Sequence, residues 1–92
     1  MTPVLTLLGR EGCHLCEEME RLLGELLPPA SHTLQRIDID EHPALRAVYH
    51  VRVPVLLLGD DELCHHFLDL QAVREALASY TRTASPSVVG DV

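Results

Sequence analysis

Val4-Leu5-Thr6-Leu7-Leu8-Gly9-Arg10-Glu11-Gly12-Cys13-His14-Leu15-Cys16 is the stretch on which the reading turns. Its first five residues are an apolar run closed by Gly9, the pattern of a buried strand. After Gly12 the period changes: Leu15, Cys16, Met19, Leu22, Leu23, Leu26 and Leu27 recur at three- and four-residue steps, with Glu17, Glu18, Glu20, Arg21 and Glu25 on the opposite side. That is an amphipathic helix, ended by Pro28-Pro29. Cys13 and Cys16 therefore lie where a strand hands over to a helix. Free backbone N–H groups and the positive end of the helix dipole favour a thiolate at Cys13. Cys16, one turn further in, is placed to attack a mixed disulfide formed on Cys13. The plainer alternative is a pair of buried structural cysteines.

Outward from this stretch, Leu34 to Asp40 alternates Ile37 and Ile39 against Asp38 and Asp40, a second strand that is half exposed or at an edge. Pro43 sits early in a short helix, where its missing N–H does no harm, with Leu45, Val48 and Tyr49 as the inner face and His50 as a left-handed end residue. Val51 to Leu58 reads as a third strand with Pro54 at its beginning. Gly59-Asp60 is a hairpin turn, and Leu63 to Phe67 the returning strand. Asp69 caps a last helix whose apolar positions run to Tyr80, and residues 81–92 read as a flexible tail behind one domain, residues 1–80. The order β-α-β-α-β-β-α, with a parallel β-α-β unit followed by an antiparallel hairpin, makes an α/β fold: a four-stranded mixed sheet with helices on both faces.

Two segments carry a family resemblance. Gly9 to Cys16 is similar to the glutaredoxin active-site loop, with a basic residue three positions before the first cysteine and glycine just before it. Arg52-Val53-Pro54-Val55-Leu56 resembles the Val-Pro segment of the thioredoxin superfamily. Over roughly residues 3–80 the chain resembles small bacterial glutaredoxin-like proteins with a Cys-x-Leu-Cys loop. The resemblance implies a thioredoxin-like fold and thiol–disulfide exchange, with Cys13 as nucleophile and Cys16 as resolving thiol. It implies a cis peptide bond before Pro54, main-chain groups of Val53 offered to an extended substrate or to glutathione, and Arg10 paired with a substrate carboxylate. No tightly bound cofactor is expected, with glutathione as a co-substrate.

The sequence also departs from the family. The buried acid that thioredoxin keeps before its dithiol falls at or near Leu7, and glutaredoxin's glycine-pair turn is replaced by Phe67-Leu68-Asp69. Asp69 is left either as a partner for a substrate amine or as a helix cap. His14 lies beside Cys13, where an imidazolium favours the thiolate, whereas Glu11, Glu17 and Glu18 oppose it. Cys64 reads as a small buried strand residue, and His65-His66 as the one route to a zinc site with the dithiol, a reading set below the metal-free one. His32, His42 and His50 fall at turns.

Composition bounds the rest. The 92 residues, 47% hydrophobic and 23% charged, suit one small folded domain. A formal charge of -7 repels phosphate backbones and excludes nucleic acid as a partner. All basic residues are arginine, which removes lysine chemistry. No apolar run is long enough for a membrane span, and Met1-Thr2-Pro3 has no basic signal-peptide region, so a cytosolic chain is expected, with a monomer as the default state. The expected partner is a disulfide-bearing protein or a glutathione mixed disulfide. The alternative is a non-enzymatic binding module that holds a peptide or metal in the groove at Pro54.

Overall fold

Alternation along the first strand supplies both faces of the sheet. In the computed structural model, which describes residues 2–84, strand β1 (Val4–Gly9) turns Leu5 and Leu7 to one side and Leu8 to the other. On the first side they meet Met19, Leu23 and Leu27 from helix α1 (His14–Leu26) and its cap, and Val73 and Leu77 from helix α3 (Leu70–Ala84). On the second side Leu8 meets Ile39 and Val55, with Leu45 and Tyr49 of helix α2 (Pro43–Tyr49) packed against them. Strands β2 (Thr33–Asp38), β3 (Val55–Leu58) and β4 (Asp61–His65) complete a sheet of order β2-β1-β3-β4. β1 and β2 are parallel and the other two pairings antiparallel. The expected architecture, a mixed four-stranded sheet with helices on both faces, is present. Leu5, Leu23 and Leu56 are fully buried, each stabilising the fold by roughly 1.5–3 kcal/mol relative to an exposed position.

The structure corrects several details of the elements. The buried stripe of α1 is Cys16, Met19 and Leu23, continued by Leu27; Leu15 and Leu26 lie at its margin and are about 40% exposed. Val48 is 61% exposed, because a seven-residue helix meets the sheet only through Leu45 and Tyr49, one turn apart. His50 is right-handed, not left-handed. The second strand stops at Asp38, and Ile39 reaches the core from a 3-10 turn, Ile39–Glu41, in which Asp38 Oδ1 accepts the Asp40 N–H at 2.9 Å. β3 begins only after Pro54, and β4 is shifted toward the hairpin turn, where Gly59 has φ +61°. A register shift opposite Leu56 and Leu57 puts both Leu63 and Cys64 against the same core cluster, which strict alternation forbids. Asp69 caps α3 as expected, its Oδ1 accepting the Ala72 N–H at 3.1 Å. α3 runs on to Ala84, so part of the segment read as a tail is helical; residues 85–92 lie outside the described residues.

Candidate functional site

At one edge of the sheet the strand ends form a row. Gly9 pairs with Asp38 on one side, and the Leu8–Val55 register sets Gly9 opposite Pro54 on the other. The Pro54 carbonyl accepts the His66 N–H at 2.8 Å, which extends the row to the end of β4. The dithiol sits above Gly9. A side chain at Gly9 would place its Cβ 3.0 Å from Cys16 Sγ and 3.2 Å from Cys16 Cβ, so glycine here is what lets the helix seat its second cysteine on the strand. In the sequence Gly9 marks only the end of a strand; nothing local signals the approach, because it depends on how α1 crosses β1.

The chain between strand and helix turns through Arg10 to Cys13, with the Cys13 N–H on the Arg10 carbonyl at 3.3 Å. Gly12 has φ +78°, a conformation that costs other residues about 1 kcal/mol or more. Cys13 is the N-cap of α1, and its Sγ accepts the Cys16 N–H at 3.1 Å. The two cysteines are joined as a disulfide with their Cα atoms 5.2 Å apart. Cys13 is half-buried and Cys16 only 8% exposed, so one sulfur faces outward and the other inward. His14 is exposed and makes no hydrogen bond to either sulfur. Leu7 is 3% exposed and lines, with Cys16, Leu34, Glu17 and Glu20, a cleft of about 700 Å³ beside α1. The position of thioredoxin's buried acid is thus filled by hydrocarbon.

Arg10 is committed within the chain. Its Nη2 and Nε donate to the Asp40 carboxylate at 2.7 and 3.2 Å, and its Nη1 to the His50 carbonyl at 3.2 Å. This partner is 30 residues away and comes beside Arg10 because β2 runs parallel to β1, which no local motif announces. The hydrogen bonds from Arg10 hold the Asp40 carboxyl below the ordinary carboxylate range, helped by the charges of Arg10, Arg46 and His50 against a smaller desolvation effect. Because the folded pKa is the lower one, this pairing stabilises the fold above the ordinary carboxylate pKa and is lost as pH falls through the depressed value. An NMR titration of the Asp40 carboxyl should have its midpoint below that of an unpaired aspartate, and Arg10→Ala should return it; an unshifted midpoint refutes the pairing in solution.

The Val53–Pro54 bond is cis, as the resemblance implied. Pro54 is fully buried and Val53 half-buried, so a partner entering this groove meets Val53 rather than the proline ring. Asp69 spends its carboxylate on the cap of α3. Cys64 is half-buried, and burial pushes its thiol up from the ordinary value. The His66 ring engages the Val51 carbonyl at 3.0 Å instead of the sulfurs. Among the described residues no three His, Cys, Asp or Glu side chains cluster as metal ligands, and no helix is long and apolar enough to cross a membrane.

Residues 4–78 match the family described as Glutaredoxin-like domain (DUF836). An uncharacterized protein of Mycobacterium tuberculosis is 32% identical over 89 residues, 91% of this chain and 92% of that protein. The solution NMR structure of protein Ne2328 from Nitrosomonas europaea is similar at TM-score 0.73 and 42% identity, over 83% of this chain and 92% of that one. A mutant thioredoxin from Halobacterium salinarum is similar at TM-score 0.55 and 27% identity, over 95% of this chain and 77% of its own.

Proposed function

Because the chain belongs to the glutaredoxin-like family of the thioredoxin superfamily and carries a Cys13–Cys16 pair suited to a redox role, we propose that it is a thiol–disulfide oxidoreductase. In the reduced protein, the Cys13 thiolate attacks one sulfur of a substrate disulfide and expels the other as a thiolate. Cys16 then attacks the Cys13 sulfur, the substrate leaves fully reduced, and the Cys13–Cys16 disulfide remains. A thiol reductant such as glutathione returns the pair to the dithiol, so two electrons pass from reductant to substrate in each cycle.

The observation that carries this reading is the unequal exposure of two bonded sulfurs at a helix N-terminus. The outer one caps the helix and receives the Cys16 N–H, an arrangement that favours charge on Cys13 once the disulfide opens. The inner one is screened from outside thiols but within reach of Cys13. Val53 beside Pro54 offers main chain to an extended substrate, and His14 is exposed next to Cys13. Arg10 and Asp69, which the resemblance assigns to glutathione, are already engaged by Asp40 and by the α3 cap. Protein disulfides are therefore placed ahead of glutathione mixed disulfides as substrates, with the protein acting as a monomer in the reducing cytosol.

Cys16→Ser leaves the attacking sulfur but removes the resolving one. Mixed with a disulfide peptide or oxidised glutathione, it should accumulate one adduct on Cys13 by mass spectrometry, rising from trace in the wild type to most of the protein. No adduct under these conditions sinks the reading and favours a binding module that keeps the fold without the chemistry.

A further inference from the structure

His66 is the one described residue other than glycine with positive φ, at 66°. A β-carbon is unfavourable there, and glycine would be the ordinary choice. What the imidazole does in return is visible in its contacts. The His66 main-chain N–H donates to the Pro54 carbonyl at 2.8 Å, while its ring Nε2 lies 3.0 Å from the Val51 carbonyl. A carbonyl only accepts, so Nε2 carries the hydrogen. The ring's Nδ1 lies 3.3 Å from His65 Nδ1. One residue thus grips the chain on both sides of Val53. Arg52 is held in turn by its N–H on the Tyr49 carbonyl at 2.9 Å and by its guanidinium, which pairs with Glu62 and lies over the Tyr49 ring. Among the described residues, the hydrogen bonds of this loop are made by Val51, Arg52 and Pro54 and leave the main chain of Val53 out.

We propose that His66 is a positioning residue for substrate: its left-handed backbone and its imidazole together fix residues 51 and 54 so that the main chain between them faces an extended disulfide peptide. The proposal rests on the exchange reading above, and the ring acts through the loop without touching the sulfurs.

The test compares two probes on the wild type, His66→Gly and His66→Gln. One is a peptide disulfide, which has a main chain to pair with Val53; the other is a small aromatic disulfide, which has none. Glycine relieves the backbone and removes the ring, so His66→Gly should melt no lower than the wild type. Its KM for the peptide should rise about three- to tenfold, the effect of one net hydrogen bond, with kcat unchanged. Turnover of the aromatic disulfide should not change. Glutamine, whose side-chain amide N–H reaches a similar distance, should recover part of the peptide KM. An active wild type with an unchanged KM in His66→Gly overturns the proposal, as does an equal loss on both probes. A wild type inactive on both overturns the exchange reading itself and this proposal with it.

Discussion

Gly9→Ala is expected to leave the protein folded but to make its disulfide easier to reduce. The added methyl would stand 3.0 Å from Cys16 Sγ and 3.2 Å from Cys16 Cβ, inside the roughly 3.5–4.0 Å at which non-bonded heavy atoms are comfortable. In the oxidised protein the Cys16 sulfur cannot rotate away. It is bonded to Cys13, which is itself fixed as the helix cap and by the turn at Gly12. In the reduced protein the Cys16 thiol is free to take another rotamer. The overpacking cost, about 1–3 kcal/mol, therefore falls mainly on the oxidised form. For a two-electron couple, with about 30 mV for each 1.4 kcal/mol, the potential should rise by roughly 20–60 mV. Equilibration of both proteins against glutathione, in a Cys64→Ser background so that only one couple is present, reads this directly. An unchanged potential would mean that the end of β1 yields instead of the sulfur.

Leu23→Ala should behave in the opposite way, costing stability while sparing the chemistry. Leu23 is fully buried against Leu5, Leu7, Leu56 and Val73, far along α1 from the cap. Removing its side chain loses the transfer free energy and leaves a cavity, together about 2–5 kcal/mol. A domain of this size has about 5–14 kcal/mol in total, and its Tm moves by about 4–8 °C for each kcal/mol. A fall of roughly 8–40 °C is expected by calorimetry, with exchange rates below the new transition close to wild type. A fall of only a few degrees would show that the sheet closes over the gap. Loss of activity in a still-folded variant would tie the cap geometry more tightly to the core than the separation along α1 implies.

These two variants divide the molecule as its readability does. The period change after Gly12, from strand to helix, identified β1 and α1 from neighbouring residues alone, and the dithiol at their junction followed. The break at Pro28, the prolines at 43 and 54, the turn at Gly59 and the cap at Asp69 were legible for the same reason: a ring, a missing Cβ or a short acceptor acts within three or four residues. Local pattern and structure part where a tertiary preference overrides a local one. Val48 has the helical spacing of an inner residue, but a two-turn helix meets only a narrow strip of sheet. Leu63 and Cys64 share one face because the register slips opposite Leu56 and Leu57.

Period, cap and turn chemistry act locally, so the main strands and helices, their order, and the two thiols that open a helix can be read along the chain. What surrounds those thiols is set by packing between elements. Gly9 makes room for Cys16, Asp40 takes the fork of Arg10, and His66 reaches back to the Val51 carbonyl. Each contact joins residues on different elements, and its distance is set by strand order, register and the seat of a helix on the sheet. Those are properties of packed layers, and no window along the chain contains them.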